Sequence, residues 1–113
     1  MELKLRNKED IYIIDILGEM SPYNSFKLKE LLMKMVEKKI EKIIISMKDV
    51  KSIDSSGIGA LIFITSTTKK MNVKLSITNV NEAVQKIIET TKLSNFFPIF
   101  PNLKEAINYL EDN

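Results

Sequence analysis

Short, β-branched apolar runs alternate along this chain with longer stretches whose apolar residues recur every three or four positions. That alternation constrains the fold more than any other feature, because strands that alternate with helices imply right-handed crossovers and a mostly parallel sheet. Glu2–Arg6 alternates polar and apolar residues, and Ile11–Leu17 is β-branched and aromatic-rich, so both read as strands. The short polar link Asn7-Lys8-Glu9-Asp10 makes them an antiparallel hairpin, with Gly18 ending the second strand. Ser21-Pro22 opens a helix, Ser21 as N-cap and Pro22 at its first position. Leu28, Leu31, Leu32 and Met35 carry its apolar face to about Lys38-Lys39. Ile43–Ile45 is continuously apolar, as expected of a strand covered on both faces.

Asp54-Ser55-Ser56-Gly57 reads as a turn. Propensity alone allows a strand over Ile58–Ile64, but the segment continues to Lys70, which favours a buried helix with a solvated end at Thr65–Thr68. Val73–Ile77 reads as a strand. Asn81 caps a helix with Val84, Ile87 and Ile88 inward, Phe97–Phe100 is a short last strand, and Asn102 opens a final helix with Leu103, Ala106, Ile107 and Leu110 on one side. The order β-β-α-β-α-β-α-β-α predicts an α/β fold: one domain over 1–113, with a mixed, mostly parallel sheet packed with four helices.

Composition narrows the chemistry. The 113 residues contain neither cysteine nor histidine. That removes disulfide frameworks, thiolate and imidazole metal sites, and triads built on histidine. With 17 basic and 15 acidic side chains, a net charge of +2 does not predict nucleic-acid binding. No basic-then-apolar leader opens the chain, and no apolar run approaches the roughly 20 residues of a membrane span. The expectation is a cytoplasmic protein that folds as a monomer without metal or cofactor, away from membranes. Tyr23 and Phe26 read as core or partly exposed packing, and Phe96-Phe97 with Pro98 as core plus turn.

The segment Lys48–Leu61 carries the one functional signal. Small residues (Ser55, Ser56, Gly57, Gly59) gather where an apolar helix begins, at a positive dipole end with exposed amides. Hydroxyls there can cap the helix, bind an anion or receive a phosphate. Asp54 has two readings, helix cap or orienter of a Ser hydroxyl. The glycines lack the spacing of a P-loop or dinucleotide loop, and no Gly-x-Ser-x-Gly elbow is present.

Asp54-Ser55-Ser56-Gly57-Ile58-Gly59 resembles the signature of STAS-domain anti-sigma-factor antagonists: an acidic residue, Ser, then Ser or Thr, then Gly-hydrophobic-Gly. Gly18-Glu19 resembles the Gly-Glu pair after that family's second strand, and the stretch from Asn81-Glu82-Ala83-Val84 to Thr91-Lys92-Leu93 its third helix and exit. With the element order, the likeness spans nearly the whole chain. It implies a protein-binding module, not an enzyme. In that family the unphosphorylated antagonist binds an anti-sigma factor, itself a serine kinase, and frees a sigma factor. The kinase phosphorylates the first Ser of the motif, which falls on Ser55, and a protein phosphatase reverses this. The resemblance places Asp54, Ser56, Gly57 and Ile58 around Ser55 on the docking surface, with Glu19 and Ser21 beside it. Other STAS readings are an unphosphorylated scaffold subunit of a signalling complex or a module sensing a nucleotide or small molecule. Three positions depart from the pattern: Ser21 stands at the usual Asp, Asn72 at the usual Gly before the fourth strand, and Lys92 at the usual Gly after the third helix.

Overall fold

The computed structural model describes residues 2–111; Met1, Asp112 and Asn113, which belong to the expected 1–113 domain, lie outside them. Strands β1 (Glu2–Lys8) and β2 (Ile11–Met20) form the antiparallel hairpin. Helix α1 (Pro22–Glu37), strand β3 (Lys42–Ile53), helix α2 (Ser55–Lys70) and strand β4 (Lys74–Thr78) follow. Helix α3 (Glu82–Thr90), strand β5 (Ile99–Phe100) and helix α4 (Leu103–Glu111) complete the order. The strands lie side by side in chain order, and every pair after the first hairpin is parallel. This is the mixed α/β sheet with four helices that the alternation predicts. None of the helices is long and apolar enough to cross a membrane, among the described residues.

The hydrophobic pattern decides which helix covers which face. Ile14, Ile16, Ile43, Ile45, Met47, Leu75 and Ile77 point to one face, against Leu28, Leu32, Leu61, Ile64, Val84 and Ile88 of α1, α2 and α3. Alternate positions Ile11, Ile13 and Ile44 point to the other, under Ala106 and Leu110 of α4. β3 is therefore apolar on both sides, as a central parallel strand must be. Each such buried aliphatic side chain contributes about 1.5–3 kcal/mol relative to exposure.

The helix starts follow the capping residues. Asn24 N donates to Ser21 Oγ, Val84 N to Asn81 Oδ1 at 2.8 Å and Glu105 N to Asn102 Oδ1 at 2.9 Å. Asn72 and Lys92, where the family pattern has glycine, both adopt left-handed backbone, at φ 57° and 62°.

Six details differ from the sequence expectation. The end of α2 at Thr65–Thr68 is not a solvated one: Thr65 and Thr68 are buried, their hydroxyls donating to the Leu61 and Ile64 carbonyls one turn back. β2 does not end at Gly18 but runs to Met20, because Gly18 takes φ 93° within the strand, beside an irregularity in its pairing with β3. β3 extends eight residues past Ile45, to Ile53. Its inward residues there, Met47, Val50 and Ile53, are spaced by three because β3 carries an extra residue at each of two bulges. The period of two that reveals a strand is thereby lost. Helix α2 starts at Ser55, so the expected turn Asp54–Gly57 is the first turn of the helix, with Asp54 as its cap. Phe97 lies buried before β5 and not within it, since the Phe97 and Pro98 carbonyls bond Ile99 N and Ile77 N as the chain turns into the short strand. Ile87 is 37% exposed, and Tyr23 and Phe26 are 74% and 60% exposed, so none of the three belongs to the core.

Gly57 is what lets α2 reach the sheet. A Cβ at this position would lie 2.4 Å from Ile53 Cγ1 and 3.0 Å from Met20 Cβ, both near the backbone and unable to swing away. A Cβ at Gly59 meets nothing within 4 Å. Gly57→Ala should therefore destabilise the domain by about 1–3 kcal/mol through overpacking. Gly59→Ala should stabilise it by roughly 0.5–1 kcal/mol, the helix-interior difference between the two residues. Urea denaturation of both variants checks this; a neutral Gly57→Ala would mean that α2 does not rest on Met20 and Ile53.

Candidate functional site

The C-terminal ends of β2 and β3 lie together, with Glu19 opposite Ser52 and Met20 opposite Ile53. Each strand then leads into a helix, so the N-termini of α1 and α2 emerge at one edge of the sheet. Ser21 caps α1 and is partly buried. Glu19 is exposed, and its carbonyl accepts from Asn24 Nδ2 at 3.3 Å. The ladder places both residues next to the Asp54–Ile58 segment.

Asp54 is extended, at φ −107° and ψ −172°, and its side chain folds over the first turn of α2. Its Oδ1 accepts from Ser56 N at 2.9 Å, Gly57 N at 3.0 Å and the Ser56 hydroxyl. Of the two readings of Asp54, the helix cap is the one this geometry fits; the carboxylate does not reach the Ser55 hydroxyl. The oriented serine is Ser56, not Ser55. Ser55 is exposed at the first helical position, and no hydrogen bond engages its hydroxyl among the described residues. Ile58 is 7% exposed and belongs to the core, so its contribution to a docking face is limited to a small edge. Gly59 is exposed one turn along α2 from Ser55 and adds open backbone to the same face.

Sequence reasoning did not bring out Phe63. It is 39% exposed on α2, on the side of the helix that faces α1 and within one cation–π distance, 5.4 Å, of Lys29. Exposed aromatic residues in an apolar helical run look like core, and only the position of α1 reveals the difference. Among the described residues, no group of three carboxylates or other ligating side chains is placed to hold a metal ion.

The cap has an electrostatic signature. The Ser56 hydroxyl first, then the Gly57 and Ser56 amides, hold the Asp54 carboxyl below its usual value of 3.8. A folded-state pKa below the unfolded one stabilises fully above the unfolded value, and that stability is lost as pH falls through the folded value. Asp54→Asn retains a capping oxygen but does not titrate. The stability difference between the two proteins should accordingly be greatest near neutrality and shrink below about pH 4. Denaturation midpoints at pH 7 and pH 3 measure it; a difference that stays constant would remove Asp54 from the capping role.

A family model described as the STAS domain matches residues 2–106. The chain is 20% identical over 112 residues to the anti-sigma F factor antagonist of Paenibacillus polymyxa, covering 98% of this chain and 96% of that one. It is 29% identical over 94 residues to the anti-sigma-B factor antagonist of Bacillus subtilis (strain 168), covering 83% and 84%. Among solved structures, the Thermotoga maritima protein TM1081 superposes with a TM-score of 0.89 at 22% identity, over 96% of this chain and 94% of that one. The Bacillus cell fate determinant SpoIIAA gives 0.77 in its unphosphorylated form, at 16% identity over 99% and 100% of the chains. Its phosphorylated form gives 0.73, at 15% identity over 96% and 98%. With the five-stranded mixed sheet, the four helices and a family match over almost the whole length, the chain belongs to the STAS domain family.

Proposed function

We propose that this protein is an anti-sigma-factor antagonist whose binding to an anti-sigma factor is switched off by phosphorylation of Ser55. The observation that carries the reading is the division of labour between adjacent serines. Ser56 spends its hydroxyl on the Asp54 cap, while Ser55 presents a free, exposed hydroxyl at the start of α2. A kinase needs the second arrangement. The names of the curated relatives support the partner class, and the two forms of SpoIIAA support a phosphorylation switch on this fold.

The switch acts by charge, without refolding. A phosphate at Ser55 adds about −1.5 to −2 charges at neutral pH. The α2 dipole tolerates negative charge at this end, and the Asp54 cap bonds Ser56 and Gly57, not the Ser55 side chain. The fold therefore survives modification. A docked partner does not, because like charges juxtaposed in an interface cost several kcal/mol. At tenfold per 1.4 kcal/mol, binding falls by about a hundredfold or more. The partner is a serine kinase that supplies its own nucleotide and metal, and a phosphatase resets the site.

Ser55→Ala should bind the anti-sigma kinase and resist phosphorylation, and Ser55→Asp should stay folded yet bind poorly. Ser56→Ala should still accept phosphate, with a slightly weaker cap. Mass spectrometry of the kinase-treated protein, paired with binding by calorimetry, tests this. Phosphate on Ser56 alone, or undiminished binding of the phosphorylated form, would refute this reading, and a protein that takes no phosphate from the kinase at all would leave an unphosphorylated scaffold as the better one. Ser21→Asp places a carboxylate at the α1 cap beside this edge. It should change the phosphorylation rate and leave stability nearly unaltered, since Asp and Ser cap equally well. Identical kinase kinetics would take Ser21 out of the docking surface.

A further inference from the structure

The face of the sheet opposite α2 is only partly covered. α4 lies over β3, β4 and β5, and beside it the sheet forms a recess of about 540 Å³ at the N-terminus of that helix. Its floor is one register row: Lys4 is opposite Asp15, Asp15 opposite Ser46, and Ser46 opposite Thr78. Register partners present side chains to the same face.

Three features separate this recess from an ordinary solvated surface. The first is charge. Asp15 is already held by a two-pronged bond from Arg6, at 2.6 and 3.1 Å, so that pair is neutral. Lys4, Lys48 and Lys104 also line the recess, and no carboxylate is within ion-pair distance of any of them among the described residues. Asp49 is the one lining carboxylate left, so three ammonium groups less one carboxylate leave an excess of two positive charges.

The second feature is Ser46. It is 6% exposed and lines the recess, yet its hydroxyl has no hydrogen-bond partner in the protein among the described residues. That hydroxyl is not sealed in the core but opens to the recess, whereas its register neighbour Thr78 is fully buried with Oγ1 unpartnered and does not line it. A hydroxyl held in the wall of a recess with no protein partner keeps its donor and its lone pairs for what enters there. The third is the helix end. Asn102 spends Oδ1 on the Glu105 amide and keeps its own amide group to donate, beside the positive end of the α4 dipole. The recess also lies toward the carboxyl ends of the strands, where open α/β sheets bind ligands.

We infer that this recess binds a doubly charged oxyanion, a phosphate group that is inorganic or carried by a small phosphorylated metabolite. Donors and cations surround it, its excess charge matches a phosphate dianion, and its volume exceeds what a bare phosphate fills. The site lies across the sheet from Ser55 and is independent of the phosphorylation switch.

Amide chemical shifts of the isotope-labelled full chain, titrated with inorganic phosphate, with glycerol phosphate and with sodium chloride at matched ionic strength, test it. Saturable shifts centred on Ser46, Asn102, Leu103 and Lys104, with Kd of about a millimolar or below for at least one phosphate probe, are expected. Lys48→Met with Lys104→Met should weaken that binding by at least about tenfold, and Ser46→Ala should weaken it with the fold intact. Lys27→Met, on the other face, should leave it unchanged. Tighter binding of glycerol phosphate identifies a metabolite as the ligand, and equal or tighter binding of inorganic phosphate identifies the free ion. Shifts that follow ionic strength alone, or that scatter over surface lysines without saturating, mean an adventitious ion only and overturn the inference.

Discussion

The parallel pairing of β2 with β3 is the interaction on which the rest of the molecule depends. It runs from Ile11 opposite Lys42 to Met20 opposite Ile53, well past the point where β4 stops at Thr78 opposite Ser46. The first half of β3 has neighbours on both sides and is buried almost throughout. The second half has a strand neighbour only on the β2 side, and Lys48, Asp49, Lys51 and Ser52 there are exposed. Two bulges re-aim Val50 and Ile53 into the core despite the polar residues between them. Without that extension Asp54 would not reach the height of Ser21, and the two helix N-termini would not share an edge.

At that edge, the contacts that hold the fold and the hydroxyl of the proposed switch belong to different atoms of a four-residue stretch. Gly57 supplies closeness, because α2 sits on Ile53 and Met20 only without a Cβ. Asp54 supplies the cap and draws in Ser56. The Ser55 hydroxyl makes no hydrogen bond in the fold among the described residues, which is what suits it to the proposed modification. A group that the native state needs makes a poor switch, since altering it costs stability and binding together.

The two faces of the sheet are treated differently. One is sealed by α1, α2 and α3 over a continuous aliphatic core. The other has a short helix, α4, over a small cluster of Ile11, Ile13, Ile44, Ala106 and Leu110. Beside the N-terminus of α4, polar strand positions remain, and the row from Lys4 through Asp15 to Ser46 follows from the pleat: every second residue of strands built to bury aliphatics on one side must face the other.

Much of the architecture was legible in the sequence. Local chemistry suffices for a hairpin and for helices opened by Ser21-Pro22, Asn81 and Asn102, because caps depend on residues a few positions apart. The signature around Ser55 was equally visible. Sequence could not give the length of β3, since bulges break the period of two that reveals a strand. It could not tell the core from the surface at Ile87, Phe26 or Phe63, where helical spacing is the same on either side of the boundary. Nor could it choose between Ser55 and Ser56 from physical chemistry, because both are good helix-start residues; the direction in which the Asp54 side chain folds decides which hydroxyl is left free. The recess beside α4 lay wholly beyond it, because Lys4, Ser46 and Lys104 come together only when distant strands pair and the last helix settles over them.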